Sequence, residues 1–259
     1  MYKTMKQWIA LMLSVLLALF SAAGAAEENE EELQKLYDIY DMGYEALLLG
    51  KIDFGTGCVR QAAEQGLDEA QAMLARLYYY GIGVEQSCET AVEYWELAAD
   101  QGYSSALTWL GYVYYAGDGI EQSYEKAAEY YRRAADLGER TAMTWMGNLY
   151  ENGQGVEQSY KRAAEYYQMA AELKQAQGLS ALGRLYETGF GVEQSYEKAL
   201  EYYQMGAAEG DPEGLFHLGH LYQNGLGVEQ SPETAVELYQ QAAEQGSENA
   251  RAALQELEK

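Results

Sequence analysis

The pentapeptide Gly-Val-Glu-Gln-Ser, once with isoleucine for valine, begins at Gly83, Gly119, Gly155, Gly191 and Gly227, a strict 36-residue period. A unit of this length cannot bury its own apolar face and must stack on its neighbours. The chain is therefore expected to form a solenoid, whose surface is an extended scaffold rather than a shell around one deep pocket.

Each copy carries two stripes at helical spacing. In the fourth they are Gly178, Leu182, Gly183, Leu185 and Tyr186, then Ala199, Tyr202, Tyr203 and Ala207. Small and large apolar residues three and four apart make one packing face per helix. Between the stripes, glycine can end the first helix in the left-handed region and serine can cap the second. Pro212 behind Asp211 and Pro232 behind Ser231 suit the first helical turn after a cap. Gly111, Gly147, Gly183 and Gly219, with Ala75 in the first copy, form a mid-helix column of small residues. Glycine there costs roughly 1 kcal/mol against alanine, so the column predicts close approach of a facing helix. That helix repeats Ala98–Ala99, Ala134–Ala135, Ala170–Ala171 and Ala242–Ala243, with the tyrosine column Tyr78, Tyr114, Tyr150, Tyr186 and Tyr222 between.

The pattern Ala-x3-Leu-Gly-x-(Leu/Val)-Tyr-x2-Gly-x-Gly-Val, then Ala-x2-Tyr-Tyr and Ala-Ala-x2-Gly, as in Ala106 through Gly138, resembles the Sel1-like repeat family, a relative of the tetratricopeptide repeat. The resemblance implies an all-α, right-handed superhelical α-solenoid of antiparallel helix pairs and a role in assembling proteins. It covers five copies, 67–102, 103–138, 139–174, 175–210 and 211–246. Upstream, 26–66 holds an acidic lead-in and a degenerate helix pair around Gly43, Gly55, Ala62, Ala63 and Gly66. Downstream, 247–259 continues the first-helix columns with Ala250, Leu254 and Leu257 among polar residues. Both ends read as caps. Lys174 stands where the other copies have Gly102, Gly138, Gly210 and Gly246, and Gly206 stands in an alanine column. A lysine in that left-handed turn costs roughly 1 kcal/mol, which predicts a soft joint between the third and fourth copies.

Residues 1–25 read as a secretory signal peptide: Lys3 and Lys6, an uncharged run from Trp8 to Phe20, then Ala23-Gly24-Ala25. The apolar run is short for a bilayer span, so a periplasmic or secreted protein of a bacterium is expected, without membrane insertion after cleavage. Cleavage after Ala25 removes two of the 17 basic residues, leaving 15 against 41 acidic and a net charge of −26. That balance argues against nucleic acid and is compatible with a basic protein or peptide partner. Cys58 and Cys88 are offset by about 9 Å of helical rise in the repeat frame, so they are expected as separate packing residues rather than a disulfide.

Chemistry is sparse. Ser123-x-x-Lys126 and Ser195-x-x-Lys198 match one element of penicillin-recognising enzymes, but the serine recurs at Ser87, Ser159 and Ser231 without the lysine, so helix capping explains all five. His217 and His220 with Glu213 lack a fourth metal ligand. No enzyme activity, metal or cofactor is expected. By the tetratricopeptide analogy, the partner-binding surface is the concave face of first helices: Arg76, Tyr79 and Tyr80; Tyr112 and Tyr115; Asn148 and Glu151; Arg184 and Glu187; Phe216, His220 and Gln223. Exposed tyrosines near an arginine suit a binding hot spot. Tyr94, Tyr130, Tyr166 and Tyr202, and the Trp109–Trp145 column, are assigned to packing. The reading is a non-catalytic protein- or peptide-binding scaffold. The rivals are recognition of an envelope glycan, muropeptide or penicillin, and inhibition of a secreted enzyme through the acidic surface.

Overall fold

The computed structural model describes residues 29–257; the signal-peptide segment 1–25 lies outside them. Among the described residues the chain is helical with no strand. It divides into two compact units, after Tyr103. The first holds α1 (29–48), α2 (Ile52–Glu64), α3 (Asp68–Tyr80) and α4 (Cys88–Asp100). The second holds α5 (Ser104–Ala116), α6 (Tyr124–Asp136), α7 (Arg140–Asn152), α8 (Tyr160–Glu172), α9 (Ala176–Thr188), α10 (Tyr196–Ala208), α11 (Pro212–Asn224), α12 (Pro232–Glu244) and α13 (Glu248–Leu257). Within each unit, consecutive helices pack as the antiparallel pairs of an α-solenoid.

The serine, the glutamine and the leading glycine of the repeated pentapeptide each have a structural role. Ser87, Ser123, Ser159, Ser195 and Ser231 each accept the backbone N–H three residues on, satisfying one of the four orphan donors at a helix start. The glutamine before each serine donates Nε2 to a carbonyl seven residues back: Gln86 to Tyr79, Gln122 to Tyr115, Gln158 to Glu151, Gln194 to Glu187 and Gln230 to Gln223, at 2.8–2.9 Å. One side chain thus ties the end of the first helix to the start of the second. The leading glycine is required by packing as well as by backbone: at Gly227, with φ of 68°, a Cβ would fall 2.7 Å from the carbonyl carbon of Tyr196.

The mid-helix glycines make room for a ring. A Cβ at Gly111 would lie 2.5 Å from Tyr131 Cδ1, and one at Gly183 2.9 Å from the Tyr203 ring; Gly147 and Gly219 face Tyr167 and Tyr239 likewise. The close approach foreseen from sequence is therefore aromatic ring against helix, more than small residue against small residue. Tyr131, Tyr167, Tyr203 and Tyr239 are at most 1% exposed, and Trp95 fills the same place beside Ala75 in the first copy. The neighbouring tyrosines pack differently, as stacked pairs with centroids 5.5–5.8 Å apart: Tyr78–Tyr94, Tyr114–Tyr130, Tyr150–Tyr166 and Tyr186–Tyr202. They are half-buried.

In the first unit, Leu36, Tyr37, Ile39 and Tyr40 of α1 pack on a core of Val59, Ala62, Leu67, Leu74 and Leu77. Gly55 meets α1 closely, since a Cβ there would lie 2.8 Å from the Gly43 carbonyl oxygen. At the other end α13 buries Ala250, whereas Leu257 is 48% exposed and does not continue the packing column. No disulfide joins Cys58, buried in α2, to Cys88 at the start of α4.

Lys174 adopts φ of +54° in the turn where its counterparts are glycine. The unit division falls at Tyr103 rather than there. Gly206 is explained by its neighbour: a Cβ would collide with Ser180 Oγ, itself buried and without a hydrogen-bond partner. Alanine at 206 should therefore gain nothing in the native background, although helix propensity favours it by roughly 1 kcal/mol. In a Ser180→Ala background Gly206→Ala should raise stability by about that amount. Urea denaturation of the two single variants and the double variant measures the coupling, and additive effects would remove this explanation.

Candidate functional site

First helices α3, α5, α7, α9 and α11 carry the twelve face positions, and the positions divide by depth. Arg76 and Tyr80 are exposed on α3 and Tyr112 is exposed on α5, while Tyr115, Asn148, Glu151, Arg184, Glu187, Phe216, His220 and Gln223 are half-buried. Tyr79 is 7% exposed and is a core residue, contrary to its assignment to the face. Four residues after Ala75, it lies over Trp95 with ring centroids 5.8 Å apart. In the later copies the same column, Tyr115, Glu151, Glu187 and Gln223, is half-buried and forms a rim above the buried aromatic.

In the third, fourth and fifth copies that rim supplies acceptors for the core hydroxyls. Tyr167 Oη has two acceptors within reach of its single proton, Asn148 Oδ1 at 2.6 Å and Glu151 Oε2 at 2.9 Å, while Tyr203 Oη donates to Glu187 Oε2 at 2.6 Å and Tyr239 Oη to Gln223 Oε1 at 2.6 Å. A buried hydroxyl left unmet would cost about 1–3 kcal/mol, so the face of each of these three copies is constrained by its core. Burial raises the Tyr167 and Tyr203 hydroxyls far above the usual phenol range, and it pushes Tyr239 up to about 12.

The two glutamates join neighbouring first helices. Glu151 receives both terminal nitrogens of Arg184, at 2.6 and 2.7 Å. Burial raises the Glu151 carboxyl, but Arg184 and the Tyr167 hydroxyl outweigh it and hold the group below its ordinary value. Glu187 lies 3.2 Å from His220 Nδ1 and 3.9 Å from His217 Nδ1. Its carboxyl is raised by burial and lowered further by His220, Tyr203 and His217, ending below the usual range. His220 is raised by its bond to Glu187, while burial, the stronger influence on His217, lowers that imidazole despite the same carboxylate. His217 also stacks on Tyr203 at 4.9 Å.

This network engages the carboxylates with phenol, guanidinium and imidazole rather than offering one as a base beside a nucleophile. Glu213 turns elsewhere, accepting from Ser247 and Asn249, and among the described residues no group of three His, Cys, Asp or Glu side chains is placed to hold a metal ion. The Ser-x-x-Lys pairs are caps: Lys126 and Lys198 lay their ammonium groups over Tyr114 and Tyr186, 4.7 and 4.8 Å from the centroids.

Each unit also offers concave surface. In the first, Tyr44, Leu47, Ile52, Met73, Arg76 and Tyr80 line a groove of about 340 Å³. In the second, Gln177, Ser180, Arg184, Asp211, Glu213 and His217 line one of about 280 Å³. On other helices of this unit, α5 and α7 gather Trp109, Tyr112, Tyr115 and Trp145, with Trp145 centred 5.0 Å from Tyr115 and 6.5 Å from Tyr112. The tryptophans, assigned to packing, are both half-buried and pack within this cluster. The signal available in sequence was the aromatic filling of the second copy's face columns, which later copies fill with Asn148, Glu151 and Arg184.

Residues 68–103, 104–139, 141–174, 176–211 and 212–247 each match the Sel1 repeat. No curated protein matches the chain in sequence. Among solved structures, a protective antigen of uropathogenic Escherichia coli displaying an SLR fold is 31% identical with a TM-score of 0.75, over 85% of this chain and 49% of the antigen. The chain thus spans about half that antigen's length. A Sel1 repeat protein from Oxalobacter formigenes is 31% identical with a TM-score of 0.76, over 82% of this chain and 85% of that one. An immunity protein from Pseudomonas aeruginosa shares the fold at 23% identity and a TM-score of 0.52, over 83% and 82%.

The Glu187–His220 contact predicts a pH-dependent contribution. His220 is raised in the folded state, so its stabilisation is complete below the unfolded imidazole value and lost as pH rises through the folded one. Glu187 is lowered, so its share is present above the unfolded carboxyl value and lost as pH falls through the folded one. The contact is thus strongest in mildly acidic solution. For this partly exposed pair, His220→Gln should cost about 0.5–1 kcal/mol at pH 5.5 and markedly less at pH 8.5, read from urea midpoints. An equal loss at both values would mean that no charge is involved.

Proposed function

We propose that this chain, which belongs to the Sel1 repeat family, is a non-catalytic scaffold that binds a protein or peptide through the first-helix faces of its repeats. Sel1 repeats are protein-interaction scaffolds, and repeat stacking suits that role because the frame can stay constant while the face changes. The observation that carries the reading is this division of labour within one chain. Serine cap, glutamine tie and ring-accommodating small residue recur from copy to copy, whereas the column Tyr112, Asn148, Arg184 and His220 changes character at every step. Arg76 and Tyr80 in the first unit, and Tyr112 in the second, present exposed anchors of the kinds enriched at binding hot spots. Tyr79, being buried, is not among them.

The same reading places the protein outside the cytoplasm. Its support is the segment Lys3 through Ala25, with a basic start, a short apolar run and small residues at the cleavage positions. No helix among the described residues is long and apolar enough to cross a membrane.

Cross-linking in the native cell envelope, with the chain as bait and Tyr80→Ser and Tyr112→Ser as separate controls, tests the proposal. Recovery of a defined protein should fall with at least one control while helical content by circular dichroism is unchanged. Equal recovery with both controls would remove the face assignment, and recovery of no protein would remove the scaffold reading.

A further inference from the structure

In the third, fourth and fifth copies the buried tyrosine hydroxyl meets an acceptor on the rim, but Tyr131 Oη in the second copy is buried with no hydrogen-bond partner. The frame repeats every 36 residues, so this hydroxyl reaches the place where Tyr167 finds Asn148 and Glu151; here those columns hold Tyr112 and Tyr115. Burial, followed by the nearby Tyr115 and Tyr112, drives the Tyr131 hydroxyl far above the usual phenol range. It stays a neutral donor. Its ring stacks on Trp145 at 5.6 Å and 1°. Trp145 in turn meets Tyr115 and Tyr112, and Trp109 meets Tyr112 at 5.9 Å, edge to face. Trp109, Tyr112, Tyr115 and Trp145 therefore form one half-buried to exposed cluster, with Trp145 stacked on the buried Tyr131, at the copy where polar face residues have been replaced by aromatic ones.

We propose that the Trp109–Tyr112–Tyr115–Trp145 cluster seats an arginine side chain of a basic peptide segment. This rests on the scaffold reading above and names its partner chemistry. Two observations favour a cation over a neutral ligand. The chain carries a net charge of −24, which draws basic partners. Its own cations already occupy tyrosine faces in this repeat frame, Lys126 over Tyr114 and Arg133 over Tyr130. A planar guanidinium stacks on indole and phenol rings better than an ammonium does, and it keeps its charge at every physiological pH.

Isothermal titration of the full chain with an acetylated nonapeptide of alternating arginine and serine tests the assignment, with glutamine and leucine analogues and chitotetraose as comparison probes. The arginine peptide should bind at least about fivefold more tightly than either analogue, and Tyr112→Ser or Trp145→Leu should remove about that factor. Tyr112→Ser alters an exposed ring and keeps the test valid if Trp145→Leu fails to fold. Tyr131→Phe, which removes a buried hydroxyl without a partner, should raise the thermal midpoint of the free chain and leave peptide affinity unchanged. Tyr167→Phe, whose hydroxyl has partners, should lower that midpoint. Equal binding of all three peptides, or an affinity for the arginine peptide untouched by Tyr112→Ser, overturns the proposal. So does chitotetraose binding that depends on Tyr112 when the arginine peptide does not bind. A peptide held elsewhere on the chain leaves the scaffold reading standing, since that reading fails only if cross-linking recovers no protein.

Discussion

The contact between a mid-helix glycine and the tyrosine ring of the facing helix organises each of the last four copies. At Gly111, Gly147, Gly183 and Gly219 the first helix gives up side-chain volume and helix propensity, and a whole aromatic ring lies in the space. The gain is buried area: Tyr131, Tyr167, Tyr203 and Tyr239 are almost entirely withdrawn from water. Because a buried phenol still carries a hydroxyl, the same contact dictates what stands at the rim. Asn148, Glu151, Glu187 and Gln223 are there as acceptors before they are anything else. In the first copy Trp95 and Ala75 replace the pair, and Tyr79 closes over the indole.

Much of this frame was legible in the sequence because it recurs. Five serines at one spacing announce caps, glycine announces the turn, and proline behind Asp211 and Ser231 announces a helix start; each is a local rule that needs no knowledge of the partner helix. The backbone at Lys174 was legible for the same reason, since the glycines at its counterpart positions mark a left-handed turn and the lysine takes φ of +54°. Side-chain ties across the loop were less visible. The recurring glutamine was noticed as part of a repeat, but nothing local tells that Nε2 folds back seven residues to a helix-end carbonyl.

The face was only partly legible. A column drawn by analogy put Tyr79 beside Tyr80, yet a step of one residue turns a helix by about 100° and moves a side chain from solvent to core. Glu151 and Glu187 were correctly placed on the first helices, but their engagement with Tyr167 and Tyr203 depends on hydroxyl positions that only the packed pair defines. Gly206 looked like an anomaly in an alanine column until Ser180 was found against it. The consequence for function is that face residues are not all equally free to vary. Those that serve a core hydroxyl are tied to the frame, whereas Arg76, Tyr80 and Tyr112 are exposed at the surface.

The account stands or falls on the ring-over-glycine contact. Urea denaturation of Gly147→Ala in the full chain tests it, because alanine improves helix propensity by roughly 1 kcal/mol while its Cβ enters the Tyr167 ring. If the ring defines the pair, overpacking prevails and the variant loses about 1–3 kcal/mol. A variant as stable as the native chain, or more so, would contradict the account and leave the frame to be explained by caps and loops alone.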